Sequence, residues 1–286
     1  MRRPKIVLCA VDLTDLAARE VEIASQVCEA FGARLVLHHN VAAAAPGLTP
    51  TWQWKEVHRD AHESVVDVER AMRALMDLVP KGVPVETTVT SGPVVPILLD
   101  LANRLPADLV VLGNHGRSTD DHASVAERIV ARAACPVLAI HEGGDAAAPL
   151  RLRAGAGGSA PEAVVAVDLD EGSMQALDYA FDLARDLGLY LHVLHVGRNG
   201  ATTLALDEAR RRLEALVPDD LGGRVDCHLE TGEPSERIAS FLCERLPAFV
   251  VVGEHARSLV RRFTHDTARD VLHRAPCPVW FVPPAA

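Results

Sequence analysis

A chain of 286 residues with a formal net charge of −10 is poorly suited to a nucleic-acid backbone or an anionic bilayer, since both would repel it. Its 49% hydrophobic and 24% charged residues are ordinary for a globular protein, and the length allows two cores. No apolar stretch approaches a membrane span, and the opening MRRPKIVLCAVDL has too short an apolar run for a signal peptide, broken by Asp12; we expect a cytoplasmic protein.

In chain order, the β-branched runs KIVLCA, RLVLHH, VPVETTV, DLVVLG and PVLAI read as strands. Between them lie amphipathic runs with helical spacing: DLAAREVEIASQVCEAFG, WKEVHRDAHESVVDVERAMRALMDLV, PVVPILLDLANRL and ASVAERIVARAA. Strands alternating with helices imply right-handed crossovers and a parallel sheet covered on both faces. The near-continuous apolar character of KIVLCA and DLVVLG suits strands buried on both sides.

The pattern then repeats. AVDLTDLAAREVEIASQVCEAFGARLVLHHNV from Ala10 returns from Ala166 as AVDLDEGSMQALDYAFDLARDLGLYLHVLHVG. VETTVTSG from Val85 returns as VDCHLETG from Val225, and AACPVLAI from Ala133 as APCPVWFV. The expected fold is two tandem doubly wound α/β domains with parallel sheets of five strands, residues 1–142 and 162–286, joined by a Gly/Ala/Pro-rich flexible linker at 143–161. The final strands PVLAI and PVWFV would be bare apolar edges if left alone, so the halves are expected to pair as a pseudo-two-fold dimer.

In such sheets ligands settle beyond the carboxyl ends of the strands. That singles out Ala10-Val11-Asp12 after the first strand, His39-Asn40-Val41 after the second and Gly113 to Gly116 after the fourth. With AVD, GEPSERI, GNHGRS and SVAERIVARAACPVLAI in order, the chain resembles a tandem universal stress protein over nearly all its length outside the linker. The resemblance implies a Rossmann-like fold of the adenine nucleotide alpha hydrolase type and a stress-response role. In ATP-binding members it implies a loop with two glycines that ends in Gly and Ser or Thr at a helix start, where backbone N–H groups hold phosphate. Carried onto this chain, it points to Ala10, Val11, Asp12, Val41, Gly113, His115, Gly116, Arg117, Ala123, Ser124 and Val125 as nucleotide-binding positions.

Both loops depart from that pattern. Only six residues separate Gly116 from Ala123, leaving the first loop shorter than the family's, and Ala123 replaces its closing glycine. Ser124 has two readings, as an N-cap or as a phosphate ligand. Asp120 and Asp121 oppose a triphosphate unless they hold a divalent cation, Mg or Mn, that bridges them to it. In the second half Ala256 replaces a glycine and His265-Asp266 the closing pair, so no nucleotide is expected there.

Other candidates are weaker. His58 and His62 share a helical face without an identifiable third metal ligand. His38, His39, His192 and His195, on the second strand of each copy, read as satisfied structural histidines, and His115 and His255 as loop scaffolding. The six cysteines form no C-x-x-C pair and read as buried thiols, with Cys135 and Cys277 before the last strands as structural. Trp52 and Trp54 serve either as a staple docking the second helix or as a cover or partner anchor. No nucleophile elbow or Lys-bearing P-loop occurs. The expectation is a regulatory or adaptor protein with at most one weak ATP site in its first half. The alternatives are a slow ATP hydrolase and a nucleotide-free scaffold that binds a protein or apolar ligand. A homodimer of the tandem chain is implied by the resemblance only.

Overall fold

The computed structural model describes residues 3–41, 65–114, 123–141, 152, 160–197, 199–200, 202–253 and 267–284. The first half runs β1 (Ile6–Val11), α1 (Ala17–Phe31), β2 (Arg34–Val41), α2 (Val65–Asp77), β3 (Val85–Ser91), α3 (Val94–Arg104), β4 (Leu109–Asn114), α4 (Val125–Val130) and β5 (Val137–His141). The second repeats it with β6 (Glu162–Val167), α5 (Glu171–Leu187), β7 (Tyr190–Gly197), α6 (Thr203–Leu216), β8 (Val225–Thr231), α7 (Pro234–Arg245), β9 (Phe249–Gly253), α8 (Thr267–Arg274) and β10 (Val279–Val282). The five strands of the first half stand where the β-branched runs place them, and the second half repeats them. Gly32 and Gly188 end the first helix of each half in the left-handed conformation, at φ 68° in both, where a Cβ would be strained.

The helical pattern ASVAERIVARAA yields only the six residues of α4.

The strands join in one sheet, ordered β3-β2-β1-β4-β5-β10-β9-β6-β7-β8. Each half contributes five parallel strands, and the seam between β5 and β10 is antiparallel, pairing Leu138 with Trp280, Val137 with Phe281 and Ala139 with Val279. The edges left by two separate sheets are thus closed on each other. Leu138 and Trp280 occupy equivalent positions in the two copies, so the pseudo-two-fold axis passes through their pairing.

Two cores flank the sheet, and each crosses the seam. On one side Leu138, Ile140 and Trp280 pack with residues of α1, α2, α5 and α6. On the other, Val137, Ala139 and Phe281 pack with residues of α3, α4, α7 and α8. Leu152, inside the stretch expected to be a flexible linker, is buried in the first of these cores. Cys9, Cys28 and Cys277 are buried as expected, but Cys243 is exposed, on the outer face of α7. Burial pushes the Cys28 and Cys277 thiols up to about 12 and Cys135 up to about 11, which leaves them unreactive.

Candidate functional site

Register brings the expected strand ends of the first half together. Val11 stands beside His39, Ala10 beside Leu112, and Gly113 beside Ile140. The turn after β1 is built alike in both halves. Asp12 Oδ1 accepts from the Thr14 backbone N–H at 3.1 Å and from its hydroxyl at 2.7 Å, and Asp168 Oδ1 accepts from the Asp170 N–H at 3.1 Å. Between them Leu13 and Leu169 take positive φ, 59° and 66°, at a cost on the order of 1–2 kcal/mol each. The side-chain-to-backbone bonds hold that strain at the mouth of each crevice.

The second strands supply hydrogen bonds rather than ligands here. His39 Nδ1–H donates to the Val11 carbonyl at 2.9 Å, and His195 Nδ1–H to the Val167 carbonyl at 2.9 Å. His38 Nε2–H donates to Thr90 Oγ1 at 2.8 Å; Thr90 in turn donates to Asn40 Oδ1, and the Asn40 amide donates to the Gly92 carbonyl. Burial first, then neighbouring His39, lowers His38 to about 4, so this ring is neutral. Val41, half-buried, ends β2 and accepts from the Gly92 N–H at 3.3 Å.

Gly113 has a packing reason that sequence reading misses. A Cβ placed on it would overlap the Glu20 carboxyl of α1 and lie 2.8 Å from Leu16 Cδ2. Glu20 is 1% exposed, and it puts a carboxyl group against the strand end that would lead into a phosphate loop. The second half carries Ala176 at the equivalent place. The departure of one copy from the other is the sequence signal for Glu20.

Ser124 resolves one of its two readings. Its Oγ accepts from the Glu127 N–H at 3.1 Å and caps α4, which takes up one of the N–H groups available to a phosphate. Ala123 and Val125 beside it are exposed. Glu127 turns to the other half instead, with Oε1 accepting from His273 Nε2 at 2.6 Å and forming an ion pair with Arg269 Nε at 3.3 Å. Asn114, buried at the end of β4, also crosses the seam, its amide donating to the Leu272 carbonyl at 3.0 Å.

His115, Gly116, Arg117, Asp120 and Asp121 lie outside the described residues, as do Trp52, Trp54, His58, His62, His255, Ala256, His265 and Asp266. Tested on the described residues, the crevice offers an adenine nucleotide the strand ends Ala10–Asp12 and Val41. On the phosphate side, the carboxyl group of Glu20 and the filled cap at Ser124 compete with it. Among the described residues no helix is long and apolar enough to cross a membrane.

No curated protein sequence matches the chain. Solved structures do. A universal stress protein from Archaeoglobus fulgidus is 20% identical at a TM-score of 0.70, with 98% of this chain and 96% of that one covered. A functionally unknown protein from Pseudomonas aeruginosa is 16% identical at 0.65, covering 98% and 93%. Similarity at that identity speaks for the fold alone. The model of the Universal stress protein family matches residues 4–141 and again residues 162–283, and the chain therefore belongs to that family, as a tandem of two units.

Proposed function

We propose that the chain acts in the stress response by binding rather than turnover, as a cytoplasmic regulatory or adaptor protein. Its single adenine-nucleotide site, a weak one, is the crevice of the first half. The observation that carries this reading is the convergence of Ala10, Val11, Asp12, Val41 and Gly113 at one end of the first-half sheet, the place where doubly wound sheets take ligands. His115, Gly116, Arg117, Ala123, Ser124 and Val125 complete the site, and Asp120 or Asp121 holds the Mg or Mn ion that offsets triphosphate repulsion. The second half takes no nucleotide, since Ala256 and Asp266 replace the glycine and the phosphate-facing residue.

Calorimetric titration of the full chain with ATP tests the reading. Binding is expected only with metal, to be lost in Asp120→Asn/Asp121→Asn, and to strengthen in Glu20→Ala, which removes the carboxyl group beside Gly113. Tighter metal-free binding by the Asp120→Asn/Asp121→Asn protein would make those residues obstacles and end the cation idea. No binding at millimolar ATP, with or without metal, would end the nucleotide site itself.

A further inference from the structure

We propose a transition-metal site in the second half, made by His192, Asp226 and His228 on neighbouring strands β7 and β8, that takes one divalent cation of borderline softness such as Zn2+. It lies toward the amino-terminal part of β6, β7 and β8 on the α7 side of the sheet, away from the strand ends that form the crevice, and it does not rest on the nucleotide reading.

The geometry is already close to that of a bound metal. One ligand atom from each of the three residues lies within 4.8 Å of the others. His192 Nδ1 and His228 Nε2 are 3.0 Å apart. Two imidazole nitrogens on a tetrahedral zinc, each at about 2.0–2.1 Å, stand roughly 3.3 Å apart, so an adjustment of a few tenths of an ångström admits the ion. Strand register sets Asp226 directly beside His192.

The surroundings orient the ligands. His192 Nε2–H donates to Glu162 Oε2 at 3.1 Å, which leaves Nδ1 with its lone pair toward His228. A carboxylate on the far nitrogen of a metal-binding histidine fixes its tautomer and raises its basicity. The Tyr190 ring packs 5.3 Å from the His192 ring between centroids. Phe241 of α7 packs on both rings, 5.0 Å from His228 and 6.2 Å from His192 between centroids. His192 is 2% exposed, His228 half-buried and Asp226 exposed, so an ion reaches the cluster from solvent and keeps a fourth position for water. Arg245, 4.9 Å over the Phe241 ring, and Arg210 oppose a cation; Glu162 and Asp226 offset them. Two imidazoles and a carboxylate favour Zn2+, Co2+ or Ni2+ over Mg2+ or Ca2+.

The first half is an internal control. At the places of Glu162, His192 and His228 it carries Ile6, Val36 and Thr88. Its carboxylate equivalent to Asp226, Glu86, is paired with Arg34 at 3.1 Å.

The test is titration of the chelator-stripped full chain with Zn2+ alone, with the visible spectrum of the Co2+ form as a second readout. One strong site with a tetrahedral Co2+ spectrum is expected. His228→Ala, at a half-buried position, should lower Zn2+ affinity at least about 100-fold and abolish the spectrum. Glu162→Gln, which keeps all three ligands, should weaken binding about 10–100-fold. A wild type that binds Zn2+ no tighter than His228→Ala would overturn the proposal. So would a site that disappears in His58→Ala/His62→Ala and survives in His228→Ala.

Discussion

In the first half the second residue of the last strand is Leu138; the equivalent place in the second half holds Trp280, and the two residues face each other across the antiparallel seam. On the helices before those strands, Glu127 and Arg269 are also equivalent positions, and they too meet, at 3.3 Å. A symmetric pair of identical units would set each of these residues against its own copy: carboxylate against carboxylate, or two indoles in the space of one. Joining the units in one chain lets each side differ. Here they have become complementary, large against small and negative against positive. Away from the seam the halves diverge again, since Glu20 against Gly113 has become Ala176, and Val36 and Thr88 have become His192 and His228. The strand framework is shared, and the chemistry is particular to each half.

The largest effect is expected at the seam. Trp280 is wholly buried and packs at 5.4 Å from Phe249 and 5.9 Å from Tyr179 between ring centroids. Trp280→Ala should cost about 3–5 kcal/mol in urea unfolding, by lost burial and the cavity left behind. A loss below about 1 kcal/mol would show that the complementary pair contributes little to the joining of the halves.

Acid should separate the halves next. His38 is neutral in the fold, held at about 4, while the same ring unfolded titrates near its ordinary value. The unfolded chain therefore takes up a proton that the folded chain refuses. The stability this neutral ring contributes is fully present above about pH 6.5 and is lost as pH falls toward 4. At about 1.4 kcal/mol per pH unit, the loss approaches roughly 2 kcal/mol at pH 5. His38→Leu borrows the residue that the second half carries as Leu194, and its stability should depend less steeply on pH in that window. An unchanged slope would refute the assignment.

An effect of similar size is expected at the crevice. Gly113→Ala drives a methyl into Leu16 and Glu20 and should cost about 1–3 kcal/mol by overpacking. Adding Glu20→Ala, the arrangement of the second half, should recover part of that loss in a double-mutant cycle. Additive losses would mean that the space around Gly113 is closed by something other than Glu20.

The strands, their parallel arrangement within each half and the meeting of the halves through PVLAI and PVWFV were readable because burial writes a local, repeated pattern and bare edges demand partners. The convergence of Ala10–Asp12, Val41 and Gly113 followed from topology. What sequence could not supply was contact between distant segments. Nothing near Gly113 announces that Glu20 fills the space beside it. His192 alone reads as one more strand histidine until register sets it beside Asp226 and next to His228. The helical periodicity in ASVAERIVARAA runs on past Val130, where α4 ends. Comparing the two copies position by position is the signal that would have found Glu20, His192 and His228, because each replaces a residue of different chemistry in the other half.

The smallest expected effect concerns the charges on the axis. Glu127 is 9% exposed at its side chain and Arg269 45%, so this pair is neither fully solvated nor fully desolvated. A cycle of Glu127→Ala, Arg269→Ala and the double variant should give a coupling of about 0.5–1 kcal/mol, at the upper end for exposed pairs. His273, on the same carboxylate oxygen at 2.6 Å, is kept in every corner and so drops out of the difference. Reversal gives a sharper reading than deletion. Glu127→Arg alone sets two guanidinium groups against each other and should cost more than Glu127→Ala. Exchange of the pair, Glu127→Arg with Arg269→Glu, restores attraction across the axis, while His273 loses its acceptor. If the exchanged protein is no more stable than Glu127→Arg alone, complementarity of charge is not what pairs these helices.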